Sequence, residues 1–230
     1  MELTGNYRHE LKYQIGPADH LALRQRLKAV MKRDPHTGAD GLYTIRSVYF
    51  DNYGDKALRE KVNGVQRREK FRIRYYNDDL SFITLEKKLK HNDLCMKVDA
   101  PLTAEDYRRI LQAPGPWMLE HPQPLVRELC CKMKTQQLRP RVLVSYVREP
   151  YVYAAGNVRV TFDSNIRTSL FQREFLNGAL PDIIATDAPG DIILEVKYDA
   201  FLPEVIRALL QTGALRQQAF SKYGACRRFG

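Results

Sequence analysis

Apolar residues recur along this chain at two periods, every second residue and every three to four, and the period of two dominates. Alternation in steps of two predicts strands at Tyr7 to Ile15, Thr44 to Asp51, Lys70 to Tyr76, Phe82 to Lys90, Cys95 to Ala100, Val142 to Arg148, Tyr151 to Ala155, Val158 to Asp163 and Ile192 to Tyr198. Asn63-Gly64, Asn77-Asp78-Asp79 and Gly156-Asn157 are turn signals, which favour antiparallel pairing. Helical spacing follows Pro17, with Leu21, Leu23, Leu27 and Val30, and it follows Thr103, where Asp106 stands in a capping-box-like place ahead of Ile110 and Leu111. Two further helices are predicted, from Pro124 to Lys134 and from Pro203 to near Gly213. Asp55 to Lys61 is a short helical or irregular link, Asp34 to Gly41 a loop, and the chain closes on a short basic tail containing Arg227 and Arg228. Strands outnumber helices, so the class is α+β, with a sheet large enough to curl or close. No linker or repeat divides residues 1–230, which read as a single domain.

The polarity of the alternation is inverted in one place. In RREKFRIRYY, Arg68, Lys70, Arg72 and Arg74 occupy every second position, and Phe71, Ile73 and Tyr75 fall between them. Alternate side chains of a strand face opposite ways, so one face is wholly cationic. Four like charges repel unless an anion lies among them or carboxylates interleave from neighbouring strands. Glu-x-Lys pairs repeat the theme at Glu10/Lys12, Glu86/Lys88 and Glu195/Lys197. The economical reading is a β-structure with a charged inner face and an apolar outer face.

Composition sharpens this. Net charge is +10 and the pI about 9.5, which favours anionic partners. The four cysteines form no C-x-x-C pair, so neither a zinc site nor a disulfide framework is indicated. The opening residues lack the apolar run of a signal peptide, and no stretch approaches membrane-spanning length, so a soluble cytoplasmic protein is expected.

Familiar catalytic signatures are missing. There is no G-x-x-x-x-G-K-[ST] or G-x-G-x-x-G loop, no H-E-x-x-H among the five histidines, and no Ser or Cys in a nucleophile context. If phosphates are bound, side chains must hold them, through charge-assisted bonds from Arg and Lys. A divalent cation would offset part of the anion's charge and needs carboxylate oxygens, which Glu195 beside Lys197 offers. Lys28, Lys32 and Arg33 are assigned to the first helix's solvated face, and Arg108 and Arg109 to that of the capped helix.

In order along the chain, ELKY, VYFDN, FRIRYY, LEKK, VRVTFD, ILEVKYD and FSKY resemble the VTC domain. That is the polyphosphate polymerase domain of the triphosphate tunnel metalloenzyme superfamily, here in a stand-alone bacterial form. The resemblance covers nearly the whole chain. It implies an antiparallel closed β-barrel with a charged interior and flanking helices, and transfer of the ATP γ-phosphoryl to a polyphosphate chain with Mn2+ or Mg2+. Carried over by motif, Lys12, Arg72, Arg74, Lys88, Arg148, Arg159, Lys197 and Lys222 would hold phosphates and Glu195 the metal. Arg59 and Lys97 stand at the margin of that pattern. Arg72, Arg74, Lys88, Arg148, Arg159 and Lys197 would also carry catalysis, by neutralising charge on the transferred phosphoryl.

One departure is visible: where the family has a further lysine before its final Ser-Lys, this chain has Ala219. Two alternatives stay open, a triphosphatase acting on inorganic or nucleoside triphosphate and a non-catalytic polyphosphate-binding module. Nucleic acid is not the expected partner, because the aromatic residues alternate away from the arginines. No membrane insertion is expected.

Overall fold

In a computed structural model, residues 7–92, 94–169, 183–184, 190–211 and 217–229 are described. They form ten strands: β1 (His9–Ile15), β2 (Lys32–Arg33), β3 (Tyr43–Asp51), β4 (Arg67–Tyr76), β5 (Asp79–His91), β6 (Leu94–Leu102), β7 (Arg139–Tyr153), β8 (Val158–Ser169), β9 (Ile183–Ile184) and β10 (Ile192–Tyr198). The α-helices are α1 (Pro17–Val30), α2 (Lys56–Val62), α3 (Ala104–Gln112), α4 (Pro124–Gln136), α5 (Glu204–Leu210) and α6 (Lys222–Cys226). One antiparallel sheet runs in the order β1-β10-β8-β7-β3-β4-β5-β6, with β2 on β7 and β9 on β8. Among the described residues, no helix is long and apolar enough to cross a membrane.

Each predicted element has a local cause in the chain. Pro17 opens α1, which buries Leu23 and Leu27. Thr103 and Asp106 form a full capping box at α3: Asp106 N donates to Thr103 Oγ1 at 3.0 Å, and Thr103 N to Asp106 Oδ2 at 3.0 Å. Gly156, at φ +71°, turns β7 into β8, and a Cβ there would meet Phe201 O at 2.6 Å. The two strands expected on either side of Pro150 are one, β7. Pairing along it passes from β3, whose first residue Tyr43 lies opposite Arg148, to β2, opposite Tyr151 and Val152. Pro150 keeps its acceptor for this hand-over, taking Asp34 N at 3.3 Å. The helix expected to run to Gly213 is α5, and residue 213 lies outside the described residues. Lys32 and Arg33 stand on β2, beyond the end of α1.

The outer face of the sheet is apolar and covered by helices. Phe71, Ile73, Tyr75 and Leu85 pack with Tyr107 and Ile110 of α3 and Val126 and Leu129 of α4. Val160, Phe162, Leu194 and Val196 pack with Leu23 and Leu27 of α1 and Ile206 of α5. These residues are the alternates of the charged ones, so the inverted polarity read from the sequence is a property of the fold. The inner face is charged along only part of its length. A third cluster, with Ile45, Val142, Val144, Ile166 and Ile193 around Tyr223 and Cys226 of α6, fills the rest.

The sheet does not close into the expected barrel. Its edge strands meet at one antiparallel bridge, where Arg8 N donates to Cys95 O at 3.0 Å and Cys95 N to Arg8 O at 3.1 Å. From Glu10 on, antiparallel register would oppose β1 to residues before Leu94, where β6 has not begun. The later part of that edge is taken by the C-terminal segment, through the bridge Tyr13–Gln217 and Gln218 N to Lys12 O at 2.9 Å. Stagger and this added segment together leave the ladder open.

Candidate functional site

The inner faces of β1, β4, β5, β7 and β10, with Gln217 to Tyr223, enclose a cavity of about 570 Å³. That lies in the range of small-ligand pockets, roughly 300–1,000 Å³. Among the described residues, eleven Lys and Arg line it, against two carboxylate residues, Glu10 and Glu195.

Register puts these groups together. Lys12 of β1 pairs with Glu195 of β10, and Glu10 with Lys197, so two Glu-x-Lys motifs interlock. Lys12 Nζ stands 3.4 Å from Glu10 and 3.5 Å from Glu195, and Lys197 Nζ is 2.6 Å from Glu195 Oε1. Burial disfavours the Glu195 carboxylate, but Lys197, Lys12, Lys222 and Arg148 outweigh it and hold its pKa well below the usual range. The same opposition, led by burial and then Lys12, takes Glu10 down to about 2. Burial lowers Lys197 to about 8 despite Glu195 and Glu10. For Lys12 the two glutamates overcome burial and raise its pKa.

On β7, Arg148 grips Asp163 of β8 with both nitrogens, Nε to Oδ1 at 2.6 Å and Nη2 to Oδ2 at 2.8 Å, and Lys222 of α6 meets Asp163 Oδ2 at 2.5 Å. On β4, Arg72 donates from Nε to Glu86 Oε2 at 2.5 Å and from Nη1 to Tyr49 Oη at 2.8 Å. Arg74 donates to Ser47 Oγ and Tyr146 Oη, each at 3.2 Å. Lys88 Nζ lies 2.7 Å from Glu10 Oε2. These pairings hold the cations in fixed positions before any ligand arrives, which is how charge is preorganised for an anion.

Of the residues singled out in the sequence, Lys12, Arg72, Arg74, Lys88, Arg148, Lys197, Lys222 and Glu195 line this one cavity. Three do not. Arg59 lies exposed on α2, and Lys61, two residues further, takes the place at the cavity instead. Arg159 turns to Asp34, at 2.7 Å, and to Tyr43 Oη, at 2.6 Å. Lys97 is about half exposed and pairs with Asp99 at 2.8 Å, reaching Glu86 only from outside, at 3.3 Å. Lys61, Lys90 and Tyr146 line the cavity and carried no sequence motif, Tyr49 lies in VYFDN but was given no role there, and Arg68 and Lys70 were legible from the strand alternation alone. Arg227 is no solvated tail residue: it is buried and pairs with Asp55 at 2.8 Å. Arg109 stacks on Trp117, 4.0 Å from the ring centre.

Among the described residues, no group of three or more His, Cys, Asp or Glu is arranged to hold a metal. A smaller donor set is present. Glu10 and Glu195 both line the cavity, and Glu10 Oε1 is buried without a hydrogen-bond partner. Magnesium-type ions take one or two carboxylates and complete their shell with substrate phosphates and water, so these two residues fit such an ion.

The family model of the VTC domain matches residues 7–229. None of the curated proteins compared with the chain matches it. Among solved structures, a Bacillus halodurans protein provisionally named an adenylate cyclase aligns at TM-score 0.51 and 14% identity, covering 91% of this chain and 88% of that one. A Vibrio parahaemolyticus protein under the same provisional name aligns at TM-score 0.52 and 11% identity, with 96% and 98% covered. The PH1819 protein from Pyrococcus horikoshii OT3 aligns at TM-score 0.51 and 12% identity, with 97% and 100% covered. At these identities the likeness is one of fold.

Proposed function

The chain belongs to the VTC domain family, and on that premise we propose that it is a metal-dependent polyphosphate polymerase, moving the ATP γ-phosphoryl to a polyphosphate chain. The observation that carries this reading is the cavity's charge, with eleven basic residues and two carboxylate residues converging on one space among the described residues. A triphosphate or longer phosphate chain is the ligand class that such an excess suits.

In this reading Lys12, Arg72, Arg74, Lys88, Arg148, Lys197 and Lys222 bind phosphate oxygens. The forks of Arg72, Arg74 and Arg148, already fixed by Glu86, Tyr146 and Asp163, orient the transferring phosphoryl and neutralise its developing charge. A divalent cation held by Glu195, with Glu10 beside it, would supply further charge neutralisation. The acceptor phosphate is already anionic and needs no strong general base, consistent with a cavity whose one lining histidine among the described residues, His9, stacks on Tyr198. Arg59, Arg159 and Lys97 take no part. Phe71 and Tyr75 pack beneath helices and offer no stacking platform for bases, which argues against nucleic acid as the ligand.

The test is purified protein with ATP and Mg2+ or Mn2+, followed by sizing of the products. Long phosphate chains are expected. Free phosphate alone would replace this reading with a triphosphatase, and binding without turnover with a binding module.

A further inference from the structure

The cavity has two halves of different electrostatic character. Along the β4–β5 ladder, Arg72 faces Glu86, an opposite-charge rung. The next two rungs on the same face oppose like charges, Lys70 to Lys88 and Arg68 to Lys90. Like charges directly opposite each other destabilise a sheet. Lys88 is relieved by Glu10. Lys70, Lys90 and Arg68 form no ion pair among the described residues, and neither does Lys61 of α2, which lines the same end. Arg68 spends one nitrogen on Val65 O at 2.9 Å, and Lys70 lies over the Tyr223 ring, 5.1 Å from its centre.

Unmatched charge here is not a solvated surface. Burial, then Arg68, Lys61, Lys12 and Lys88, pull the Lys70 pKa down to about 7. The groups facing it are cations from β4, β5, α2 and β1, with Tyr223 from α6. Beyond Lys61 the cavity borders a second, of about 410 Å³, which shares Lys61 and the wall Gln218 to Ser221 and is also lined by Arg228. A basic path therefore leads outward from the carboxylate-paired half.

We propose that Lys61, Arg68, Lys70 and Lys90 form a second anion subsite, which takes the units of a linear polyphosphate beyond the three held by the carboxylate-paired half. Lys70 is the residue that sets preference for a long chain over triphosphate. This rests on the polyphosphate reading above, and its physical basis is that a long polyanion supplies the negative charge these rungs lack.

The experiment is calorimetric titration of the full chain, without ATP, with inorganic tripolyphosphate and with long-chain inorganic polyphosphate. Lys70→Met keeps the stem and removes the charge; Lys90→Met is a second variant, on β5. Each is expected to weaken long-chain binding at least about tenfold, leaving tripolyphosphate within about twofold. At pH 7.5 the wild type should take up a proton on long-chain binding, read as a binding enthalpy that depends on the buffer. Lys70→Met should reduce that dependence to the level seen with tripolyphosphate, the part contributed by Lys197. Equal weakening toward both polyanions, or none toward either, overturns the subsite while leaving the function intact. Wild-type protein that binds neither polyanion overturns the polyphosphate reading itself.

Discussion

Tyr223 donates its hydroxyl to Asp51 Oδ2 at 2.5 Å, tying the helix that carries Lys222 to the end of β3. The same carboxylate accepts Ala57 N at 3.0 Å and Leu58 N at 3.3 Å, so it also starts α2. Arg227 adds a second tie, to Asp55, the N-cap residue of α2. Lys61 on α2 and Lys222 on α6 are thus positioned by one buried network. Tyr223→Phe should lower the unfolding free energy by roughly 1.5–3 kcal/mol, the size of a hydrogen bond to a charged group. It should also weaken tripolyphosphate binding through Lys222. A denaturation midpoint equal to wild type would remove the network from this role.

Glu195→Gln should abolish metal-dependent turnover yet leave tripolyphosphate binding within a few-fold. Its carboxylate is buried and ionised among Lys197, Lys12 and Arg148. Removing one negative charge from a cationic cavity does not oppose anion binding. Turnover at the wild-type rate would take the metal away from Glu195.

Arg72→Ala exposes two effects that can be separated. It takes from buried Glu86 its nearest partner, leaving Arg74 at 3.6 Å and Lys97 at 3.3 Å. Breaking a buried pair costs about 3–5 kcal/mol of stability. Adding Glu86→Leu should recover most of that stability and none of the tripolyphosphate affinity, measured by denaturation and by titration. Affinity that returns together with stability would mean Arg72 acts only through the fold.

Glu149 predicts the acid limit. It holds α1 to β7 by accepting from Arg24 Nε at 2.7 Å and from Tyr151 Oη at 2.6 Å, with His20 Nε2 at 3.1 Å. Burial opposes its charge, but bonds from His20, Tyr151 and Arg24 hold its pKa at about 2, below the ordinary 4.5. A depressed carboxyl stabilises fully above its unfolded pKa, and that contribution is lost as pH falls from about 4.5 toward 2. Glu149→Gln should therefore be less stable at pH 7 and show a shallower loss of melting temperature across that window. Parallel curves for variant and wild type would refute the assignment.

Much of this was legible in the sequence because a strand's period of two is rigid. Once Arg72 is placed inward, Arg68, Lys70 and Arg74 follow. The interlocking of Glu10/Lys12 with Glu195/Lys197 needed only that β1 and β10 pair. What alternation cannot carry is stagger between distant strands, so the open seam at Arg8 and Cys95 was not foreseen. Nor can it fix helix rotation: α2 is set by Asp51 and Asp55, which brings Lys61 rather than Arg59 to the cavity. Arg159 was misplaced for a third reason. Its strand position is inner, but Asp34, from the loop after β2, captures the guanidinium.

Because Gln217 to Tyr223 supply one wall of the cavity and part of the partner edge for β1, the pocket is finished only by residues synthesised after all ten described strands. Until Lys222 emerges, Asp163 lacks one of its two cations and β1 lacks that edge. A chain stopped before Gln217 would thus carry every described strand yet lack a finished cavity wall.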